Sequence, residues 1–206
     1  MTQQLEEIPS TPPTPPRMSY AQFLEWPHEN PHVEWVDGEI VPMPPISDEH
    51  THVGRFLINV LTLYVEHHQL GTLFYEPFQM KPGDELPGRA PDVFFVATAN
   101  LQRIQRNHLH GPADVAIEVV SPESRTRDRI HKFKEYEQGG VREYWIIDPH
   151  RRLTEFYVRG DDDRYRQVIP EGGIYRSAVL AGFWLRVEWL WDRPPVMSVL
   201  KEWGLL

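Results

Sequence analysis

The chain has 206 residues, 40% hydrophobic and 12% aromatic, enough for one domain with a sizeable core. It has no cysteine, which excludes disulfides, thiolate zinc sites and cysteine nucleophiles, and no apolar run near the roughly 20 residues of a membrane span. The formal net charge of −9 counts against a protein that only coats nucleic acid, but leaves room for an enzyme with a small local contact.

Residues 1–17 hold Pro-Ser-Thr-Pro-Pro-Thr-Pro-Pro, which removes backbone donors and favours extended chain, so a disordered leader is expected there. No basic stretch followed by an apolar one opens the chain, and a cytoplasmic protein is expected. One domain, 18–206, follows. Ser19 with Gln22 makes a capping box, Met18 and Phe23 are placed as a staple, and the short helix ends near Pro27. Val33-Glu34-Trp35-Val36, Asp37-Gly38 and Glu39-Ile40-Val41 read as a hairpin, because Asp-Gly suits the two left-handed positions of its turn. Residues 48–69 form the clearest helix: Val53, Phe56, Leu57, Val60, Leu61, Tyr64 and Val65 repeat as one apolar stripe.

Strands are expected at 72–75 and 78–81, then a Pro/Gly turn, then the run Asp92-Val93-Phe94-Phe95-Val96. Residues 102–110 are polar and read as a short helix or loop. The run Val115-Ala116-Ile117-Glu118-Val119-Val120 stops at Ser121-Pro122. Ser124 or Thr126 caps a second helix running to Gly139-Gly140, with Ile130, Phe133 and Tyr136 marking its buried face. A strand at 143–147 and a hairpin of 153–158 with 165–169 follow. Residues 182–191 are strand or mixed structure. This order describes an α/β or α+β domain with a mixed sheet.

Asp92 and Glu118 stand out because carboxylates in apolar strands are costly unless something positive compensates them, such as a metal ion. Magnesium takes one or two protein carboxylates plus water, and a main-chain carbonyl beside Glu118, with Val119 the first choice, adds an oxygen. Bound there, the ion would polarise a phosphate and help water ionise. The plainer alternative is that Asp92 caps a turn and Glu118 pairs with a surface arginine. Lys132 could orient water or stabilise charge on phosphorus. Lys134 is its rival: the two lie about 200° apart on an α-helix, so periodicity does not choose between them. Lys132 could equally be the solvated partner of Asp128.

Glu34 is a candidate inward carboxylate. His50, in the first helical turn, is a candidate site residue or a surface cap residue, whereas His52, His67 and His68 read as helix surface. From Arg125 to Lys134 the chain carries five basic residues and one acidic, Asp128, a local charge of +4. Arg125, Arg127 and Arg129 would therefore suit contacts to DNA phosphates, or simply form a solvated face. No phosphate loop, dinucleotide fingerprint or Gly-x-Ser-x-Gly elbow occurs, and Ser121 has no evident His–Asp pair to make it a nucleophile.

Glu34 with Val36-Asp37-Gly38-Glu39, His50, Pro91-Asp92, Glu118-Val119-Val120-Ser121-Pro122-Glu123-Ser124, Asp128, Lys132, Tyr136, Gly140-Val141-Arg142-Glu143-Tyr144-Trp145 and Asp148-Pro149 follow in order. Together they resemble the Uma family of prokaryotic restriction endonucleases, within the PD-(D/E)XK nuclease superfamily, from Met18 to the C-terminus. The resemblance implies a restriction-endonuclease-like core, a central mixed β-sheet flanked by helices, here with an extra C-terminal β-hairpin. It implies Asp92 and Glu118 as metal carboxylates, Lys132 as the catalytic lysine, and Glu34 and His50 as accessory residues. The superfamily lysine usually stands two positions after the second acid, which here is Val120, so the role would have migrated to Lys132.

The expected function is a magnesium- or manganese-dependent endonuclease cutting DNA through metal-activated water. The alternative is a nuclease-fold module that binds or regulates without cutting. Alanine at Asp92, Glu118 or Lys132 is expected to abolish cleavage with the fold intact. Trp184, Trp189, Trp191 and Trp203 crowd the C-terminal part, as a homodimer interface or as core.

Overall fold

The computed structural model describes residues 17–27 and 32–206. The leader expected at 1–17 lies, but for Arg17, outside the described residues. Helix α1 (Tyr20–Glu25) carries the full capping box of Ser19 and Gln22. β1 (Val33–Val36) and β2 (Glu39–Pro42) pair antiparallel across Asp37-Gly38, both at positive φ. Helix α2 (Asp48–His67) starts where Ser47 Oγ accepts the His50 N–H at 3.2 Å, and the apolar stripe 53–65 is buried throughout.

The strands that follow are β3 (Gly71–Tyr75), β4 (Gln79–Lys81), β5 (Val93–Ala97), β6 (His108–His110), β7 (Val115–Val119), β8 (Glu143–Asp148), β9 (Leu153–Arg159), β10 (Tyr165–Val168), β11 (Ile174–Arg176) and β12 (Trp184–Arg186). Six of them form the central sheet in the order β10-β9-β8-β7-β5-β3, mixed because β7 and β8 alone are parallel. The hairpin expected at 153–169 is β9–β10, at one edge of this sheet, and β11 and β12 pair antiparallel as a separate C-terminal hairpin. β6 is the element the sequence left as helix or loop. It runs parallel to β4 as a separate two-stranded sheet, after a 3₁₀ turn at Thr98–Arg103.

Alternation along the central strands divides the core. Val93, Phe95, Val115, Ile117, Val119, Trp145 and Ile147 face α2 and the C-terminal aromatic residues. Phe94, Val96, Ala116, Val120, Tyr144 and Ile146 face the other side, towards α3 (Phe133–Gly139) and β4. Both faces are covered, so the strands read as near-continuous apolar runs rather than alternating ones. Asp92, Glu118 and Asp148 share parity with the second face, and Glu143 shares it with the first.

Two short helices, α4 (Trp189–Asp192) and α5 (Val196–Glu202), close the chain against α2. Trp189 is buried, and Trp184, Trp191 and Trp203 pack against the same core. Of the four tryptophans behind the homodimer expectation, one is thus interior and three are partly buried. No helix among the described residues is long and apolar enough to cross a membrane.

Candidate active site

Strand register brings the acids together. β5 and β7 are antiparallel, with Val93 opposite Ile117, so the next step places Asp92 opposite Glu118. Directly opposed residues share a face. The Val119 N–H donates to Asp92 Oδ2 at 2.6 Å, which fixes the Asp92 carboxylate across the strand ends. His50, at the N-terminal turn of α2, approaches the same oxygen with Nε2 at 3.1 Å.

The helix leading into α3 delivers the lysine. Residues Arg127–Lys132 form a π turn rather than an α turn. In an ideal α-helix each i,i+4 step drifts about 40° around the axis. The wider turn offsets that drift, so Ser124, Asp128, Lys132 and Tyr136 all stay on the buried face. It also overturns one expectation: Ile130 is not on the buried face but 48% exposed. The structure separates the two lysines, with Lys132 1% exposed and Lys134 out in solvent. Neither Ser124 nor Thr126 acts as a simple cap. Ser121 and Ser124 instead bond each other's backbone N–H, at 3.2 and 3.0 Å.

Lys132 Nζ lies 2.8 Å from Glu118 Oε1, 3.2 Å from Glu34 Oε1 and 3.7 Å from Asp128 Oδ1. The Tyr136 hydroxyl donates to Glu118 Oε1 at 2.8 Å. Burial works against the Lys132 charge, but Glu118, Glu34, Asp128 and Asp92 outweigh it and hold the ammonium above its ordinary range. Burial pushes the Glu118 carboxyl well up, Lys132 pulls it down, and Asp92 and Asp128 push it up again. Glu34, fully buried, also accepts from Arg89 Nη1 at 2.9 Å, and Arg89 in turn forks onto Glu135 at 2.7 Å twice. Glu34 thus positions Lys132 from behind.

The sequence did not find Arg89 or Glu76. Arg89 sits in the Pro/Gly turn, where nothing marks it as buried. Glu76 follows β3, and its N–H reaches the Asp92 carbonyl at 3.4 Å, so three acids stand in a row at one end of the sheet. Burial and then Asp92 raise the Glu76 carboxyl.

Asp92, Glu118, Val119, Lys132, His50 and Asp128 line one small pocket of about 20 Å³, beside residues 43–46. That is room for a water or a small ion. Among the described residues no hydrogen bond reaches Asp92 Oδ1 or Glu118 Oε2. Asp128 Oδ1 and His50 Nδ1 are buried without a hydrogen-bond partner. Three carboxylates therefore line the pocket with two cations, the buried Lys132 and the half-buried Arg127. Hard oxygens with spare capacity and excess negative charge fit a magnesium-like cation. No three His, Cys, Asp or Glu side chains among the described residues gather as a ready cage, so water and main-chain oxygen would complete the shell.

The three arginines behave differently. Arg125 and Arg129 reach buried Asp148 at 3.3 and 3.5 Å, and Arg129 also meets Glu155 at 2.5 Å. Arg127 lines the pocket, with Nε 3.8 Å from Asp128 Oδ1.

A family model described as "Putative restriction endonuclease", Uma2, matches residues 20–188. The chain belongs to the Uma2 family. A solved structure described as a "putative nuclease belonging to DUF820" from Anabaena variabilis ATCC 29413 superposes with a TM-score of 0.69. It is 18% identical, over 85% of this chain and 98% of that one, a likeness that shows the fold. Among the curated proteins none matches. As a Uma2 member with this core, the chain is nuclease-like, and the match covers every element that builds the pocket.

Proposed function

We propose that this Uma2 protein is a magnesium- or manganese-dependent endonuclease that hydrolyses DNA phosphodiester bonds. One observation carries the reading: Asp92 and Glu118 are register-opposed at adjacent strand ends, in a pocket whose buried cation is Lys132. Asp92, Glu118 and the main-chain oxygen of Val119 would hold the ion, which when bound supplies charge neutralisation and acidifies water. The net reaction adds water across one P–O bond, hydroxyl to phosphorus and proton to the leaving oxygen. Lys132 keeps its charge among the acids and steadies the developing negative charge on phosphate. His50 fixes Asp92 through Nε2, while its Nδ1 is buried with no hydrogen-bond partner among the described residues. Residues 43–46 form one wall of the pocket.

The variants Asp92→Asn and Glu118→Gln keep side-chain volume while removing charge. Each should lower plasmid cleavage in magnesium by at least about a hundredfold, with circular dichroism unchanged. Calorimetric titration should show the ion bound by the parent chain and lost in both variants. Full cleavage by Glu118→Gln sinks the proposal.

A second reading, a binding module that does not cut, is favoured by the engagement of Lys132, Arg125 and Arg129 with acids inside the domain. Absence of magnesium binding at millimolar concentration would decide for it.

A further inference from the structure

The small pocket does not stand alone. Residues 43–46 line both it and a second cavity of about 250 Å³ that ends at Glu76. Glu76 also lines a third cavity of about 470 Å³, walled by Phe74, Tyr75, Phe78, Arg106 and Asn107. Shared lining residues thus connect the pocket of the acids, by way of Glu76, to a cavity at the free edge of β3, the last strand of the central sheet. The third cavity is of ligand size, within the roughly 300–1,000 Å³ usual for such sites.

Its chemistry is specific. Tyr75 is 56% exposed at the end of β3, an unusual position for so large a ring. Phe74 and Phe78 stack at 4.6 Å on the opposite sheet face, round the β3 edge from the Tyr75 ring. Arg106 is exposed and, unlike Arg125 and Arg129, has no acidic partner among the described residues. A duplex is held mainly by phosphate contacts, which need many free cations. This chain is acidic and two arginines of its basic run are occupied. A single strand also offers base faces, which aromatic side chains hold with little demand on net charge.

We propose that these connected cavities seat a single-stranded stretch of DNA, one base stacked on Tyr75 with a neighbouring phosphate at Arg106, leading into the Asp92–Glu118 pocket. This deepens the endonuclease reading and rests on it for the chemistry alone. The substrate class is then DNA with a single-stranded segment, such as a flap, gap or overhang. Strand polarity follows from which side of the segment is cut.

Fluorescence anisotropy in EDTA tests binding apart from cleavage, using labelled single-stranded DNA of about 12 nucleotides and the matching duplex. The parent chain should prefer the single strand. Tyr75→Ala should weaken single-strand binding by about 5- to 150-fold, the range for one lost base stack, and Tyr75→Trp should restore it. Arg106→Ala should weaken it less and flatten its salt dependence. Ile169→Ser, exposed on the far hairpin side, is the control. Absence of single-strand binding, a preference for duplex or for RNA of the same sequence, or a Tyr75→Ala affinity within twofold of the parent overturns the proposal. So does a dimer in sedimentation that Tyr75→Ala dissolves, because a second copy would then fill the cavity at the β3 edge. Tyr75-dependent binding without any cleavage in magnesium would instead overturn the hydrolase reading and leave this one standing.

Discussion

Glu34 shows what a single buried charge does here. Burial pushes its carboxyl up, but Lys132, Arg89 and Arg127 outweigh that and hold its pKa down at about 2, from an ordinary 4.5. A folded pKa below the unfolded one contributes stability above about pH 4.5, lost as pH falls towards 2. The difference corresponds to about 3 kcal/mol at neutral pH. Glu34→Gln should therefore be destabilised by about 3 kcal/mol at pH 7 in urea titration, and the gap should narrow by about 2 kcal/mol at pH 3. A gap equal at both values rules out the charge as its source. The same geometry revises the expectation for Lys132→Ala. That change strands Glu34, Glu118 and Asp128 without their cation, which typically costs about 3–5 kcal/mol for a buried pair. Loss of cleavage in that variant says nothing about chemistry, and the isosteric Asp92 and Glu118 variants are the informative ones.

At the scale of elements, the helix that carries Lys132 is where sequence and structure part company. Simple α periodicity placed Ile130 with Phe133 and Tyr136, yet the π turn at 127–132 turns Ile130 outward and brings Asp128 and Lys132 in. Ile130→Lys should thus change stability by no more than about 0.5 kcal/mol by thermal denaturation, whereas a core isoleucine would cost several times more. A drop of about 3 kcal/mol would mean the turn is an ordinary α turn. No residue type encodes a π turn, so the choice between Lys132 and Lys134 was not legible from the linear pattern. The α2 stripe, the Asp37-Gly38 hairpin and the acids ending β5 and β7 were legible, because burial, turn conformation and desolvation each constrain residue type locally. Arg89 and Glu76 were not, because their partners, Glu34 and Glu135 for the one and Asp92 for the other, are distant in sequence. β6 was missed for a similar reason: its three residues are polar at both ends, and only pairing with β4 makes them a strand.

Across the whole molecule, Glu143 joins the central sheet to the C-terminal hairpin and its helices. It is fully buried on the α2 side of the sheet. Oε1 accepts from Trp145 Nε1 at 2.6 Å and the Tyr175 hydroxyl at 2.7 Å, while Oε2 accepts from Ser177 Oγ at 2.9 Å and the N–H groups of Ala178 and Val179 at 3.0 Å. Five donors converge on one side chain, and three belong to the loop between β11 and β12. That loop holds Leu180 and Phe183 against Tyr64, Trp145 and Trp203 in the main core. Glu143→Gln puts an NH₂ group against some of these donors, and Glu143→Ala orphans the buried Trp145 and Tyr175 donors, each at a cost of about 1–3 kcal/mol, while the Val179 N–H keeps Ser177 Oγ at 3.1 Å. The alanine variant should lose at least about 2 kcal/mol and the glutamine variant somewhat less, measured as the urea midpoint at constant m. Because the latch stands on the opposite face from Asp92 and Glu118, magnesium affinity of the surviving folded glutamine variant should stay within about twofold of the parent. A large loss of affinity in a well-folded Glu143→Gln protein would show that the C-terminal hairpin shapes the pocket through β8, and the two faces would then have to be treated as one coupled unit.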